Sequence, residues 1–146
     1  MKEISFSITI SATPERVWKI LWQDNTFRDW AGLIDPGTYM VGEMKEGNII
    51  QFISSENGYG VTSKVDKLVA NEFLLLSHKS DTKNNGTQER EEQWSGGKES
   101  YLLTQDGGKV ILTVKFDVPE ELEEMFTQLY PAALERIRTL SENISA

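Results

Sequence analysis

The sequence predicts an α+β fold in which an antiparallel sheet wraps around a long C-terminal helix. Residues 119–145 repeat apolar side chains at spacings of three and four, the pattern of an amphipathic helix. From residue 37 onward, side chains alternate with period two between turn signals, which indicates consecutive β-hairpins. A helix of that length would extend about 35–40 Å and could cover its apolar face only against a broad sheet.

The chain is predicted to begin with one strand and two short helices. Thr13 is expected to cap the first helix, with Pro14 in its first turn. Asp24 or Asn25 can cap the second helix, which Gly32 would end. The strand is recognised from four apolar residues that alternate with serine and threonine, namely Ile4, Phe6, Ile8 and Ile10.

Three hairpins follow, which gives the order β-α-α-β6-α. Their predicted strands are 39–44 with 48–54, 60–68 with 72–78, and 98–105 with 109–116. Asp106-Gly107-Gly108 is a strong hairpin turn in the last pair. Segment 80–97 is polar and charged, and we interpret it as a long functional loop that contains Trp94 and can hold a turn of helix over 89–94.

The predicted C-terminal helix combines one apolar face with small residues at its centre. Pro119 suits the first helical position, and Pro131 removes a backbone donor midway and should bend the helix. Ala132 and Ala133 lie beside that bend, so space can remain between helix and sheet. The predicted apolar face consists of Leu122, Met125, Phe126, Leu129, Ala133, Ile137 and Leu140.

Composition limits the classes of partner. The 146 residues are expected to form one domain, 1–146, with 38% hydrophobic and 26% charged residues. A net charge of −8 argues against nucleic acid and anionic lipid as partners. The chain has no cysteine, no signal-peptide pattern and no apolar run of the ~20 residues that span a bilayer, so we expect a cytoplasmic protein without membrane insertion.

The order of several short motifs resembles the START-like superfamily, also called Bet v 1-like or SRPBCC. The motifs are ITISATPERVW at 8–18, Trp30, GVT at 60–62, WSGGKESY at 94–101 and VPE at 118–120. Within that superfamily the chain is most similar to proteins like the C-terminal domain of the activator of the Hsp90 ATPase. The resemblance implies a helix-grip fold with a deep, mainly apolar cavity between the sheet and the last helix. Members bind lipids, hormones and polyketides, some catalyse cyclisation, and some are chaperone partners.

If a ligand occupies such a cavity, we expect aromatic and apolar side chains to line it, with tyrosine and tryptophan supplying polar tips. The alternative is that the same side chains fill the space as ordinary core. The predicted ligand-binding residues are Trp30, Tyr39, Phe52, Trp94, Tyr101, Met125, Leu129 and Ala133.

No catalytic or metal-binding pattern is evident in the sequence. His78 is the only histidine and ends an apolar strand; with Glu99 and Tyr101 it would be the first residue to test for catalysis. No nucleophile-elbow pattern surrounds any serine, so a hydrolase triad is not predicted. Segment 81–92 resembles a calcium loop, but Lys83 stands where an oxygen ligand is required. We predict no metal and no cofactor.

Three functions therefore remain open. The favoured prediction is a non-catalytic module that holds a small apolar or amphipathic molecule in the cavity. The alternatives are a protein-interaction module of the Hsp90-activator type, with a chaperone or another protein as partner in a stress response, and a cyclase- or hydrolase-like enzyme. A cavity below ~300 Å³ would count against ligand binding. The sequence contains no signal for ligand identity or oligomeric state.

Overall fold

The computed structural model describes residues 1–90 and 94–143. The helices are α1 (Pro14–Trp22), α2 (Asp24–Ala31) and α3 (Glu123–Glu142), the last preceded by a turn of 3-10 helix at Glu120–Leu122. The strands are β1 (Lys2–Ile10), β2 (Thr38–Val41), β3 (Ile49–Ser54), β4 (Gly60–Val69), β5 (Phe73–Lys83), β6 (Gln88–Glu89), β7 (Lys98–Asp106) and β8 (Lys109–Val118).

The strands form one curved antiparallel sheet around α3, which confirms the predicted helix-grip fold. The strand order is β1-β8-β7-β5-β4-β3-β2, and the short β6 pairs with β5 outside this path. The first strand joins the last one, with Lys2 opposite Val118 and Ile10 opposite Val110. This pairing places β1 at one edge of the sheet, and α3 packs against β1 and α1.

The two short helices begin and end mostly where the sequence predicts. The Thr13 hydroxyl accepts a hydrogen bond from the Arg16 backbone N–H at 3.2 Å and so caps α1. Gly32 ends α2, and its N–H donates to the Arg28 carbonyl. The expected cap at Asp24 or Asn25 is wrong. Both lie within the helix, because the carboxylate of Asp24 instead pairs with Arg28 one turn later.

The predicted loop 80–97 is shorter than expected. β5 continues to Lys83 and turns through Asn84 and Asn85, whose φ angles are 53° and 56°, into β6. The extension was missed because two of its buried residues, Asp81 and Thr82, are polar. Helix over 89–94 is contradicted at its start, where Glu89 is strand, and 91–93 lie outside the described residues.

The last helix starts later than predicted, and its buried face overlaps the predicted one, since Ala133 and Ile137 are buried and Phe126 packs against the core. It begins at Glu123, continues through Pro131 and ends at Glu142; Ser145 of the predicted span lies outside the described residues. Met125, predicted on the apolar face, is 41% exposed. The buried face is Tyr130, Ala133, Leu134, Ile137 and Ser141.

The solid part of the core lies beside the C-terminal half of α3. Val17 and Leu21 of α1 and Ile137 of α3 are each 0% exposed there.

Within residues 1–90 and 94–143, no helix is both long enough and apolar enough to cross a membrane.

Candidate functional site

A cavity of about 200 Å³ lies between the inner face of the sheet, α2 and the N-terminal half of α3. It begins where the packed core stops, because Phe126 and Tyr130 line it whereas Ala133 and Ile137 do not. The expectation that Ala132 and Ala133 create the space is therefore wrong: Ala132 is exposed and Ala133 is fully buried in close-packed core.

One side of the cavity, here called the α2 wall, consists of Phe27, Trp30 and Phe52. Phe27 and Trp30 meet edge to face, with ring centroids 5.3 Å apart and an interplanar angle of 84°. The Trp30 indole N–H donates to the Leu21 carbonyl at 3.1 Å, which ties α2 to α1 and fixes the ring. Phe52 extends this wall from β3, 5.8 Å from Phe27.

The opposite side, here called the α3 wall, consists of Trp94, Phe116, Phe126 and Tyr130. Phe126 stands edge-on to both Trp94 and Phe116, at centroid distances of 5.4 and 5.5 Å. Phe116 lies 5.1 Å from Tyr130. Contacts of this kind hold aromatic rings in fixed orientations, so neither wall can easily collapse into the space between them.

The deep end of the cavity is polar and hydrogen-bonded. The Tyr101 hydroxyl donates to Oε2 of Glu99, and Oε1 of Glu99 lies 3.4 Å from Nε2 of His78. Behind the cavity, the Ser63 hydroxyl lies 2.7 Å from Nδ1 of His78. A serine hydroxyl that donates to Nδ1 leaves the imidazole proton on Nε2, which faces the carboxylate. We call Ser63, His78, Glu99 and Tyr101 the polar relay.

A β-bulge brings the first two relay members together. Ser63 pairs with His78 while its neighbour Thr62 pairs with Ser80, so Lys79 is the extra residue. His78 lies on the inner face with Leu74 and Leu76 by the alternation of β5, and the bulge at Lys79 follows directly after it. Sequence reasoning missed Ser63. The available signal was a serine between Val61 and Val65, at an inward position of an alternating strand.

Burial raises the pKa of Tyr101 well above its usual range, and the neighbouring Glu99 carboxylate adds to the effect. Burial likewise raises the pKa of Tyr130, again with a contribution from Glu99. Both hydroxyls therefore stay protonated at neutral pH and act as hydrogen-bond donors.

The solvent end of the cavity carries charge. Asp35 and Tyr59 are exposed, and Arg90 lies between solvent and interior with its guanidinium carbon 4.2 Å from the centre of the Tyr59 ring. Burial raises the pKa of Asp35, Glu56 raises it further, and Arg90 lowers it. We call Asp35, Tyr59 and Arg90 the mouth; the sequence analysis singled out none of them.

Four of the eight predicted ligand-binding residues line the cavity: Trp30, Phe52, Trp94 and Tyr101. The other four do not. Tyr39 stacks beneath Arg28 on the far side of α2, Met125 points to solvent, Leu129 lies off the lining face of α3, and Ala133 is packed core. Helical spacing identified the apolar residues of the helix, but it did not identify which of them face the sheet. Ligand binding by the four lining residues stays a prediction.

The three candidate catalytic residues His78, Glu99 and Tyr101 all line the cavity. Ser63 completes a serine–histidine–carboxylate chain, yet it is 0% exposed and lies on the side of the imidazole away from the cavity lining. A nucleophile must reach its substrate, so this arrangement does not form a hydrolase triad.

The loop that resembled a calcium site has another role. The Asp81 carboxylate is buried and accepts the Trp94 backbone N–H at 3.0 Å, which holds that ring at the cavity. Glu92, the twelfth position of the pattern, lies outside the described residues. Within 1–90 and 94–143, no three histidine, aspartate or glutamate side chains gather in a metal-binding group.

Comparison with solved structures supports the fold. The chain is similar to protein MLL2253 from Mesorhizobium loti (13% identity, TM-score 0.75, 98% of each chain). It is similar to Aha1 from Colwellia psychrerythraea, solved as a dimer (20% identity, TM-score 0.72, 100% of each chain), and to CV1439 from Chromobacterium violaceum (16%, 0.71, 96% of each). No family profile and no curated protein sequence matches the chain. At these identities the likeness establishes a shared helix-grip fold.

Proposed function

We propose that the chain, as one START-like domain, is a non-catalytic module that holds a small amphipathic molecule in the cavity between the sheet and α3. The observation that supports this proposal most directly is the pairing of two aromatic walls with a polar relay at the deep end. Pockets that bind small molecules typically combine a mainly apolar lining with a few placed polar groups.

The cavity volume restricts the ligand to a molecule with one aromatic ring. About 200 Å³ is below the ~300 Å³ limit stated in the sequence analysis, so the volume counts against the larger ligands of START-like proteins, namely lipids, hormones and polyketides, and leaves only smaller molecules. An engineered protein cavity of ~150 Å³ binds benzene, so a substituted benzene ring matches the size of this one.

Glu99 determines which polar group the ligand should carry. Its carboxylate accepts from Tyr101, and its side chain is 22% exposed, so it remains accessible from the cavity. A carboxylate offers about four acceptor sites and no donor. The ligand group that fits this end is therefore an O–H or N–H donor, as in a phenol.

The same contacts favour binding over catalysis. Glu99 is already stabilised by the Tyr101 hydroxyl and faces the His78 imidazole, and both cavity tyrosines stay neutral. Ser63 is shielded behind His78. Among the described side chains that line the cavity, none is thus arranged as an activated nucleophile.

The proposal is tested by NMR titration of isotope-labelled protein with phenol and with anisole, which lacks the donor. We expect phenol to bind at least about tenfold more tightly, because anisole leaves Glu99 facing an ether oxygen. Ala31→Leu, which fills the cavity from α2, should abolish binding, whereas Ala132→Leu on the exposed face of α3 should not change it. Absence of phenol-induced shifts near Tyr101 at millimolar concentrations would overturn the proposal.

A protein-interaction role is the second candidate, and the open sheet edge at β2 favours it. β2 pairs only with β3 within the described chain, and Val41 and Ile49 at that edge are 44% and 56% exposed. The neighbour from Colwellia psychrerythraea was solved as a dimer. If this edge pairs with a second chain, light scattering should show a dimer that Val41→Lys dissociates.

A further inference from the structure

The mouth contains an arginine, Arg90, whose guanidinium forms no side-chain hydrogen bond within the described part of the chain. Nε of Arg90 is buried without a hydrogen-bond partner, and the side chain forms no ion pair with any described residue. The residue lines the cavity. An arginine donor that is shielded from water and left unpaired destabilises the folded state unless something else satisfies it.

Two contacts hold this guanidinium in place. Its carbon lies 4.2 Å from the centre of the Tyr59 ring, the geometry of a cation–π contact. The Arg90 backbone N–H donates to the Asp81 carbonyl at 3.0 Å, which fixes the base of the side chain to the end of β5. A stacked guanidinium is limited to a plane and presents its N–H groups at the edge of that plane, where a carboxylate can accept two of them.

The neighbouring acid does not satisfy Arg90. Asp35 lines the same mouth and feels the positive charge, since Arg90 lowers the pKa of Asp35 against the larger upward effects of burial and Glu56. The two side chains nevertheless form no ion pair. No residue of 1–90 or 94–143 therefore forms an ion pair with Arg90 that would compete with a group entering through the mouth, and the nearby Asp35 carboxylate limits the affinity for an anion there.

The two ends of the cavity therefore differ in what they can bind. Glu99 at the deep end accepts hydrogen bonds, and Arg90 at the mouth donates them. A ligand that enters with its donor first would leave its opposite end beside Arg90. Between these ends the walls are aromatic, which suits a ring.

We propose that Arg90 binds the carboxylate of a hydroxylated one-ring aromatic acid, whose hydroxyl meets Glu99. This inference rests on the proposed function, because it names the ligand class of the same cavity. It adds a specificity-determining residue that the sequence analysis did not single out.

The test compares phenol with 4-hydroxybenzoate and with 3-(4-hydroxyphenyl)propanoate, which places the carboxylate two methylenes further away. Dissociation constants are measured by NMR titration for the wild type, Arg90→Met and Arg28→Met. Arg28 is the matched control, because its guanidinium also stacks on a tyrosine, 5.2 Å above Tyr39, but lies outside the cavity lining. 4-Hydroxybenzamide serves as the neutral counterpart of the acid.

We expect at least one of the two acids to bind about tenfold more tightly than phenol to the wild type and to Arg28→Met. In Arg90→Met the advantage should fall below about twofold, while phenol affinity stays within about twofold. Equal affinity for phenol and both acids, or an advantage that survives in Arg90→Met, would overturn the role of Arg90 and leave the proposed function intact. If 4-hydroxybenzamide binds as tightly as 4-hydroxybenzoate, Arg90 recognises a neutral acceptor. The proposal of a carboxylate ligand would then be wrong. If no probe binds, both proposals fail.

Discussion

The two halves of α3 face the same sheet but border different interiors. After Ala133 the helix contributes Ile137 to a core that also contains Val17 of α1, and both side chains are 0% exposed. Before Ala133, Phe126 and Tyr130 border a cavity of about 200 Å³. The packed half and the open half are thus neighbouring turns of one helix.

The difference follows from the kind of side chain at each end. Aliphatic groups at the packed half interdigitate and fill space, as protein interiors normally do. At the open half, rings such as Phe126 and Trp94 stand edge-on to one another, and the polar relay fixes the deep end. Rigid rings that support one another need not close the gap between two walls. A hollow can therefore persist beside a fully packed core.

The largest effect on stability should come from truncating a buried isoleucine, Ile137 in the packed half of α3 or Ile53 of β3 beside the cavity. Ile137 and Ile53 are 0% and 1% exposed, but only Ile53 lines the cavity. We expect Ile137→Ala to lower the free energy of unfolding by about 4–5 kcal/mol and Ile53→Ala by about 2–3 kcal/mol, because a side chain beside a void has fewer contacts to lose. Urea denaturation measures both. Equal losses would show that the two halves are packed alike.

Alkaline pH should weaken the open half specifically. Because burial raises the pKa of Tyr101 and Tyr130, the unfolded chain releases these protons near pH 10 while the folded chain keeps them. Stability is therefore unaffected below about pH 10 and falls above it, by about 1.4 kcal/mol per pH unit for each tyrosine. Denaturation curves at pH 9 to 11 test this.

Tyrosine-to-phenylalanine variants provide the control for that pH dependence. Tyr101→Phe and Tyr130→Phe should each remove the contribution of one tyrosine to the fall in unfolding free energy above pH 10. Tyr39→Phe, at a half-exposed site outside the cavity, should leave that fall unchanged. A slope that none of the three variants changes would contradict burial of the two hydroxyls.

A smaller loss of stability is expected from removing the side chain that caps the C-terminal end of α3. The Arg16 guanidinium donates to the carbonyls of Leu140 at 3.0 Å and Asn143 at 3.1 Å, and so satisfies the end of α3. Arg16→Met should cost about 1–2 kcal/mol. Arg138→Met, which removes only a local pair with Glu135, should cost below about 0.5 kcal/mol. Similar losses of unfolding free energy for Arg16→Met and Arg138→Met would contradict a capping role for Arg16.

The smallest change in stability should come from removing the ion pair at the start of α3, in the open half. Lys2 pairs with Glu123 at 3.0 Å, but the Lys2 side chain is 63% exposed. Lys2→Met should change the free energy of unfolding by less than about 0.5 kcal/mol, because solvent and salt screen such pairs. A thermal unfolding midpoint that drops by more than about 3 °C would show that this pair secures the open half more than its exposure suggests.

Local patterns predicted most of the fold. Alternation identified β1, and turn signals such as Asp106-Gly107-Gly108 identified the hairpins, because both depend on neighbours within a few residues. The extension of β5 to Lys83 escaped prediction because its buried Asp81 is satisfied by the distant Trp94 backbone. No local rule distinguishes such an aspartate from a loop residue.

The candidate site was predicted only in part, for a similar reason. Aromatic character identified Trp30, Phe52, Trp94 and Tyr101, which the structure brings to the cavity. Met125 and Leu129 were misplaced because a helical repeat defines a stripe without stating which edge of it meets the sheet. Ser63 and Arg90 were not selected, since each acquires its role only from residues far along the chain.

The sequence by itself determined the elements of this protein, their order and the apolar character of the last helix, because these depend on backbone propensity and on periodicity within single segments. Only the tertiary structure decided where the interior is solid and where it is hollow. That division depends on how side chains from α2, α3 and six strands meet, and such packing is a property of their relative positions in space.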